Sequence, residues 1–438
     1  MSFFLNGVHV PHRKHTQDQT AVYMPAPKSV VIPMSMHIGA PAKPTVKVGE
    51  LVCVGTLIAE AVGAVSSPIY SSVSGKVTKI TDVLLSNGNA VPAVVIESDG
   101  EMKEDPAICA PVIQSREDLI GAIRASGTVG LGGAGFPTHV KFNVDPSRVE
   151  ALIINGAECE PYITSDSLTM TDRVDDMEYA LMEIQKYFGV KKIIVGIEKN
   201  KKRAIAVMKT LETKIEGFRV HVLPEVYPQG GEKVLVYHTV KKIIPTGKLP
   251  LDVGCIVCNC TTIAAIGSYL KTGMPLVKKC VTVDGGCVKE PQNVIVPIGT
   301  MLADVFAFCG GLVSEPEKVL YGGPMMGITV PDLNVPVLKN TNAILALNAK
   351  ETKIPKTTAC IRCGSCTNAC PFGLAPASIL LAYKKKDHAL LEKFSVDTCM
   401  ECGCCSFICP ANRPLVQTNK LAKAYLKDIR SKEAMKNG

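Results

Sequence analysis

Cys360, Cys363, Cys366 and Cys370, followed by Pro371, stand at the spacing C-x2-C-x2-C-x3-C-P, and Cys399, Cys402, Cys405 and Cys409, followed by Pro410, repeat it. Three thiolates at this spacing wrap one [4Fe-4S] cube, and the fourth reaches across to a second cube. The expected ligand sets are therefore Cys360, Cys363 and Cys366 with Cys409, and Cys399, Cys402 and Cys405 with Cys370. Zinc is the competing reading, but zinc ribbons bring two cysteines from each arm rather than four and a terminal proline. Cys404 is out of step with the second motif and reads as a bystander. Such clusters pass electrons singly.

A one-electron relay fed by a two-electron donor needs a converter, and a flavin accepts hydride and releases electrons one at a time. Residues 130–141 read GLGGAGFPTHVK. Gly130, Gly132, Gly133 and Gly135 allow the backbone to approach a flat ring or a phosphate closely, and Lys141 follows as a partner for an anion. The match to G-x-G-x-x-G invites an ordinary dinucleotide fold, yet that mechanism needs a strand before the glycines and a helix after them. Here the helical pattern EDLIGAIRASG precedes, and Pro137 follows almost at once. The stretch reads as a flavin cradle.

Four blocks must position these groups. Residues 1–110 hold an N-terminal arm and short β-type runs; VKVGELVCVGTLIAE and SSVSGKVTKI look like the halves of a barrel-sandwich module of the biotinyl/lipoyl type. A carrier protein of that type has a lysine between the halves, and AVGAVSSPIYSS has none, so the module reads as structural. Residues 111–246 alternate buried strands (VEALIINGA, KKIIVGIE, FRVHVLPEV) with amphipathic helices such as DDMEYALMEIQKYFG. That order implies a Rossmann-like α/β domain with a parallel sheet. Residues 247–345 read as a small, β-rich mixed domain, and residues 346–438 as helices around the cysteine motifs.

Composition bounds the rest. Eighteen cysteines in a chain opening without an apolar leader point to metal ligands in a reducing compartment, which favours the cytoplasm. The formal charge of +8 is modest for 438 residues, and no aromatic residues interleave with the C-terminal lysines, which argues against nucleic acid. The longest apolar stretch, LDVGCIVCNCTTIAAIGSYL, is broken by Asp252 and Asn259. Membrane contact is expected only through partner proteins.

GLGGAGFPTHVK, INGAECEPYITSD (154–166) and YPQGGEK (227–233) together resemble the flavin- and NADH-binding subunit of bacterial complex I. They are closer still to the RnfC family of Rnf electron-transport complexes, which GVHVPHRKHT, HIGAPAKPTVKVGE, GGPMMG and CMECGCCSFICPANRPLVQTNKLAKA also match. The resemblance runs in order along essentially the whole chain. It implies that Gly130, Gly132, Gly133 and Gly135 cup FMN, with Lys141 near its phosphate. Asn155 and Glu158 would line the flavin, Glu232 would stand beside the same pocket, and Asn259, Thr261 and Thr262 would hold the phosphate. Phe136 would stack on the nicotinamide, and Glu160 would contact NADH. Residues 247–345 would be a β-grasp-like soluble-ligand-binding domain, and residues 346–438 a bacterial-ferredoxin-type domain.

No side chain is expected to be catalytic beyond electron transfer through FMN. The implied activity is reversible ferredoxin:NAD oxidoreduction with other Rnf-type subunits, in which this subunit oxidises NADH and pumps nothing itself. Two rivals stand beside it: a soluble relative reducing another acceptor, such as a cobalamin enzyme, and a wiring module without nicotinamide chemistry. Cys255, Cys258, Cys260, Cys280 and Cys287 exceed what the resemblance implies. In a strand, Cys255 would face away from Cys258 and Cys260, so buried free thiols are expected in place of a metal site.

Overall fold

The computed structural model describes residues 5–86 and 88–437; residues 1–4 of the expected N-terminal arm, Asn87 and Gly438 lie outside the described residues. The alternating runs near the N-terminus form two small sheets. One orders Ser29–Pro33, Ala90–Ser98, Gly75–Leu84 and Leu51–Val52, and the other Lys43–Pro44, Leu57–Glu60 and Ile69–Tyr70. Val30, Ile32, Ile58, Ile69, Val77 and Ile96 share one core between them, which is the expected barrel sandwich. The preceding arm leaves this module, and Val22–Tyr23 pairs in parallel with Gln292–Pro297 of the third domain.

The central domain is a parallel sheet in the order Phe218–Leu223, Ile193–Glu198, Ala151–Asn155, Cys255–Asn259. Period two assigns its faces. Leu152, Ile154, Val195, Ile256 and Cys258 pack under the helices Val174–Phe188 and Cys260–Thr272. Ala151, Ile153, Cys255 and Val257 turn to the other face, with Leu235 and Val236 of the helix Glu232–Val240. Both faces are therefore buried, as a parallel sheet requires.

The fourth strand lies past the expected division at residue 246. Cys255–Asn259 pairs with Ala151–Asn155, and Cys260–Thr272 is a helix capped by Asn259 at its start and by left-handed Gly273 at its end. Cys255 and Cys258 do take opposite faces, but Cys260 begins the helix and does not continue the strand. A five-residue apolar run carries no signal of which sheet it joins.

The third domain is a six-stranded mixed sheet built around Lys278–Asp284, Gln292–Pro297 and Ala343–Leu347, with the helix Leu302–Phe308 on its core. In the C-terminal domain, Pro376–Lys384, His388–Lys393 and Leu415–Asn437 pack around Ile379, Leu391, Ala422 and Leu426. The two cysteine motifs repeat in backbone as in sequence. Arg362 and Glu401 are left-handed at the same place, as are Gly364 (φ 78°) and Gly403 (φ 84°), each followed by one turn of helix. Among the described residues, no helix is long and apolar enough to cross a membrane.

Candidate flavin and iron-sulfur sites

The carboxyl ends of parallel strands are where α/β sheets bind ligands, because loops and helix N-termini converge there. Asn155 ends one central strand, and its neighbours in register are Asn259 on one side and Gly196 on the other. The glycine loop lies over this edge. Val129 bridges to Pro137 and the Gly130 amide donates to the Phe136 carbonyl at 2.9 Å, so residues 130–136 form a closed turn with Gly132 and Gly133 exposed at its tip.

Several elements pin that loop. Thr262 Oγ1 accepts from the Leu131 amide at 3.0 Å and contacts the Val129 carbonyl at 3.2 Å. Buried Lys279 of the third domain donates to the Leu131 carbonyl, and Asn340 donates to that of Gly133. A Cβ on Gly132 would stand 2.3 Å from Asn259 Nδ2, so only glycine lets the turn rest on Asn259.

Beneath the loop, Asn259 caps the helix Cys260–Thr272 by accepting from the Thr261 amide. Asn259 Nδ2 and Thr261 Oγ1 both donate to Asp166, at 2.7 Å each. The Asp166 carboxylate thus occupies the anion position at this helix N-terminus, and a phosphate held there would share these donors with it. In sequence, Asp166 only ends the ITSD stretch and carries no signal of this role.

The NGAECEP segment forms the facing wall. Asn155 donates to Gly230 and accepts from Ala157, which shapes the turn. Glu158 accepts from the Asp166 amide and the Ser167 hydroxyl, both at 2.7 Å, and lies 3.8 Å from the buried Lys201 ammonium. Burial raises its carboxyl above the ordinary range against the pull of Lys14 and Lys201. Glu198, at the end of the next strand, is pushed up to about 7 by burial, with Lys201 and Lys14 opposing. Lys14, from the N-terminal arm, donates to the carbonyls of Glu158 (2.9 Å), Glu160 (2.7 Å) and Ile163. Burial lowers its ammonium to about 8, against the pull of Glu158. No spacing rule connects this lysine to carbonyls over 140 residues away.

Two more of the expected site residues bond within the chain. Lys141 Nζ binds the Val257 carbonyl at 2.7 Å on the edge strand and supplies the charge that opposes the raised pKa of Glu232. Glu232 keeps a solvent-facing side chain at the start of its helix, though neighbouring atoms displace enough water to disfavour its charge. Glu160 spends both oxygens on the third domain, accepting from the amides of Met325 (3.0 Å) and Met326 (2.8 Å) within GGPMMG. Burial raises its carboxyl to about 7. A nucleotide would have to compete with two backbone amides for it.

The second cysteine set is already gathered. Cys370, Cys399, Cys402 and Cys405 line one cavity with Pro371, Met400 and Asn419, and Asn419 Nδ2 lies 3.4 Å from Cys399 Sγ. This is a donor set of the kind a [4Fe-4S] cube takes, with a hydrogen-bond donor to its sulfur. In the first set, Cys366 and Cys409 pack against Leu380 and Leu415, while Cys360 and Cys363 are exposed. Thr358 donates to Ala411, bringing the segment before Cys360 alongside the one after Cys409. Cys404 packs away from the surface. It is fully buried, and its thiol faces the Tyr227 carbonyl at 3.6 Å while the Tyr227 hydroxyl donates to Cys402.

Family models match in the order of these domains: the RnfC barrel sandwich hybrid domain over residues 2–101, the Nuo51 FMN-binding domain over 123–268, the SLBB domain over 280–329 and the 4Fe-4S dicluster domain over 353–419. The C component of the proton-translocating ferredoxin:NAD(+) oxidoreductase complex of Clostridium ljungdahlii is 41% identical over 391 residues, 87% of this chain and 84% of the relative. The chain belongs to the RnfC family.

The Na(+)-translocating counterpart of Acetobacterium woodii is also 41% identical, over 86% of each chain. The C component of the ion-translocating oxidoreductase complex of Rhodobacter capsulatus is 39% identical over 98% of this chain and 84% of its own. Membership in the RnfC family explains the architecture: the chain carries an FMN-binding domain whose match ends at residue 268, and so includes the strand Cys255–Asn259, and a 4Fe-4S dicluster domain.

Proposed function

We propose that this chain takes hydride from NADH at a flavin held on the sheet edge and passes the electrons singly through two [4Fe-4S] clusters to a partner of an Rnf-type complex, reversibly. The observation that carries the reading is the junction at Tyr227. That residue precedes the QGG turn beside Asn155, and its hydroxyl donates to the carbonyl of Cys402 at 2.8 Å. The flavin wall and the second cysteine motif are thereby one packed body.

FMN supplies the conversion of a two-electron donor to one-electron acceptors. The chain's own groups hold and shape its site. Gly132 and Gly133 offer backbone at the exposed tip of the cradle, the N-terminus of Cys260–Thr272 with Asn259, Thr261 and Thr262 suits a phosphate, and Glu158 with Asn155 fixes the facing wall. Phe136 offers the nicotinamide a stacking face. Cys360, Cys363, Cys366 and Cys409 would ligate one cluster, and Cys370, Cys399, Cys402 and Cys405 the other. The partners are other Rnf-type subunits, met at the cytoplasmic face of the membrane.

The test is steady-state reduction of an artificial acceptor by NADH. Phe136→Ala should raise KM for NADH roughly tenfold with flavin content unchanged, as loss of one aromatic stacking contact predicts. Unchanged KM would remove Phe136 from the nicotinamide site, and no reduction by a flavin-loaded protein would overturn the reading.

A further inference from the structure

The two cysteine sets differ in what surrounds them. The second is walled in by the flavin domain: Cys402 and Cys404 share a core with Tyr227, Val8 and Ala369. The first opens outward. Residues 353–364, KIPKTTACIRCG, form a continuously exposed run that includes Cys360 and Cys363, with Ile354 77% and Ile361 68% exposed. This run is held in place. Thr357 and Thr358 bond to the backbone of Asn412 and Ala411, and Arg413 donates to the Thr358 carbonyl; Phe407 and Ile408, earlier in that same segment, are exposed too.

The charge on this face has one sign. No Asp or Glu occurs from Thr352 to Lys386 or from Cys402 to Lys427, while Lys353, Lys356 and Arg362 stand exposed on the run. The adjacent Glu351 is turned the other way, bonded to Tyr162, Gly286 and Asn348. Isolated exposed apolar residues are ordinary, but exposed isoleucines among unopposed cations beside thiolates at ligand spacing are the makings of an interface.

We propose that the face formed by residues 353–363 and 407–413 is the docking surface for an acidic redox protein, which exchanges electrons with this chain through the cluster of Cys360, Cys363, Cys366 and Cys409. The inference rests on the functional reading above. The partner's carboxylates meet Lys353, Lys356 and Arg362, and its apolar contacts cover Ile354 and Ile361. It takes one electron per encounter, so two encounters discharge the pair taken from one nicotinamide. Complementary charge of this kind speeds encounter and makes it salt-dependent.

Carbodiimide cross-linking of membranes that hold the assembled complex, followed by mass spectrometry, tests it. The expected result joins Lys353 or Lys356 to Asp or Glu of another polypeptide, in a yield that falls as salt rises. Lys353→Glu with Lys356→Glu should cut that yield roughly tenfold or more, leaving flavin, iron and NADH-driven reduction of an uncharged dye as they were. Two results overturn it: cross-links that leave this face untouched, or sedimentation with phosphatidylglycerol vesicles that the double variant abolishes, which would make the face a membrane contact. A chain without flavin or without NADH-driven reduction fails the functional reading instead; a chain with both whose cross-links fall elsewhere fails only the surface.

Discussion

The Tyr227 hydroxyl donates to the Cys402 carbonyl at 2.8 Å, while the Cys404 thiol faces the Tyr227 carbonyl at 3.6 Å. One tyrosine is thus bonded through both its ends to the second cysteine motif, and its ring fills the core between the domains. Tyr227→Phe keeps the ring and removes the hydroxyl bond. Loss of one buried hydrogen bond should cost about 1–2 kcal/mol, read as a lower midpoint for thermal loss of the cluster absorbance with the initial iron content unchanged. An unaltered midpoint would show that packing alone joins the domains.

Lys14 fixes the NGAECEP wall through three carbonyls. Lys14→Met keeps much of the stem and leaves those acceptors unpaired, at about 1–3 kcal/mol each where water cannot replace the ammonium. Flavin retention should fall with little change in iron. A variant that keeps its flavin through gel filtration would separate the arm from the flavin site.

The cradle has a sharper steric test. Gly132→Ala drives a methyl group into Asn259, which also caps the helix beneath the loop. The turn must lift, so FMN per chain should drop severalfold while the clusters, in another domain, remain. Equal flavin in the variant and the parent would mean that the turn is not the cradle.

Glu160 predicts a difference between stability and kinetics. Its two oxygens each accept one amide of the Met325–Met326 segment, and Glu160→Gln offers only one acceptor. The variant should lose about 1–3 kcal/mol at the domain junction with KM for NADH changed less than by Phe136→Ala. A large rise in KM without loss of stability would return Glu160 to the nucleotide.

Glu198 gives a pH signature. Burial raises its carboxyl from 4.5 to about 7 in the folded chain, so the folded state holds the proton more tightly between those values. Its contribution is complete below about 4.5 and is lost as pH rises through about 7. Urea unfolding across that window should show stability falling with pH at this site, and Glu198→Gln should flatten the slope. An identical slope in the variant would assign the titration to another group.

What could be read in the sequence was local or periodic. The cysteine motifs carry their ligand spacing within eleven residues each and recur as the same backbone turn. The central strands announced themselves by apolar runs between amphipathic helices, and period two put Cys255 and Cys258 on opposite faces. What could not be read was who meets whom at long range. The partner of Cys255–Asn259 lies about a hundred residues upstream, beyond two strands that intervene in the chain. Glu160 is read as a nucleotide contact from the resemblance of its segment, while the loop its oxygens accept from lies 165 residues away and is brought near only by the fold. Asp166 was hidden in the same way, since only the fold brings it to the cap of a helix that starts at Cys260.

The most direct measurement is an anaerobic visible spectrum of the purified chain, with iron and flavin assayed on the same sample and NADH added stepwise. About eight iron and about one FMN per chain, with both the flavin and the cluster absorbance bleaching as NADH is added, is the predicted result. Intact clusters with no flavin, or a flavin that NADH reduces while the clusters stay oxidised in the presence of excess donor, would contradict the account.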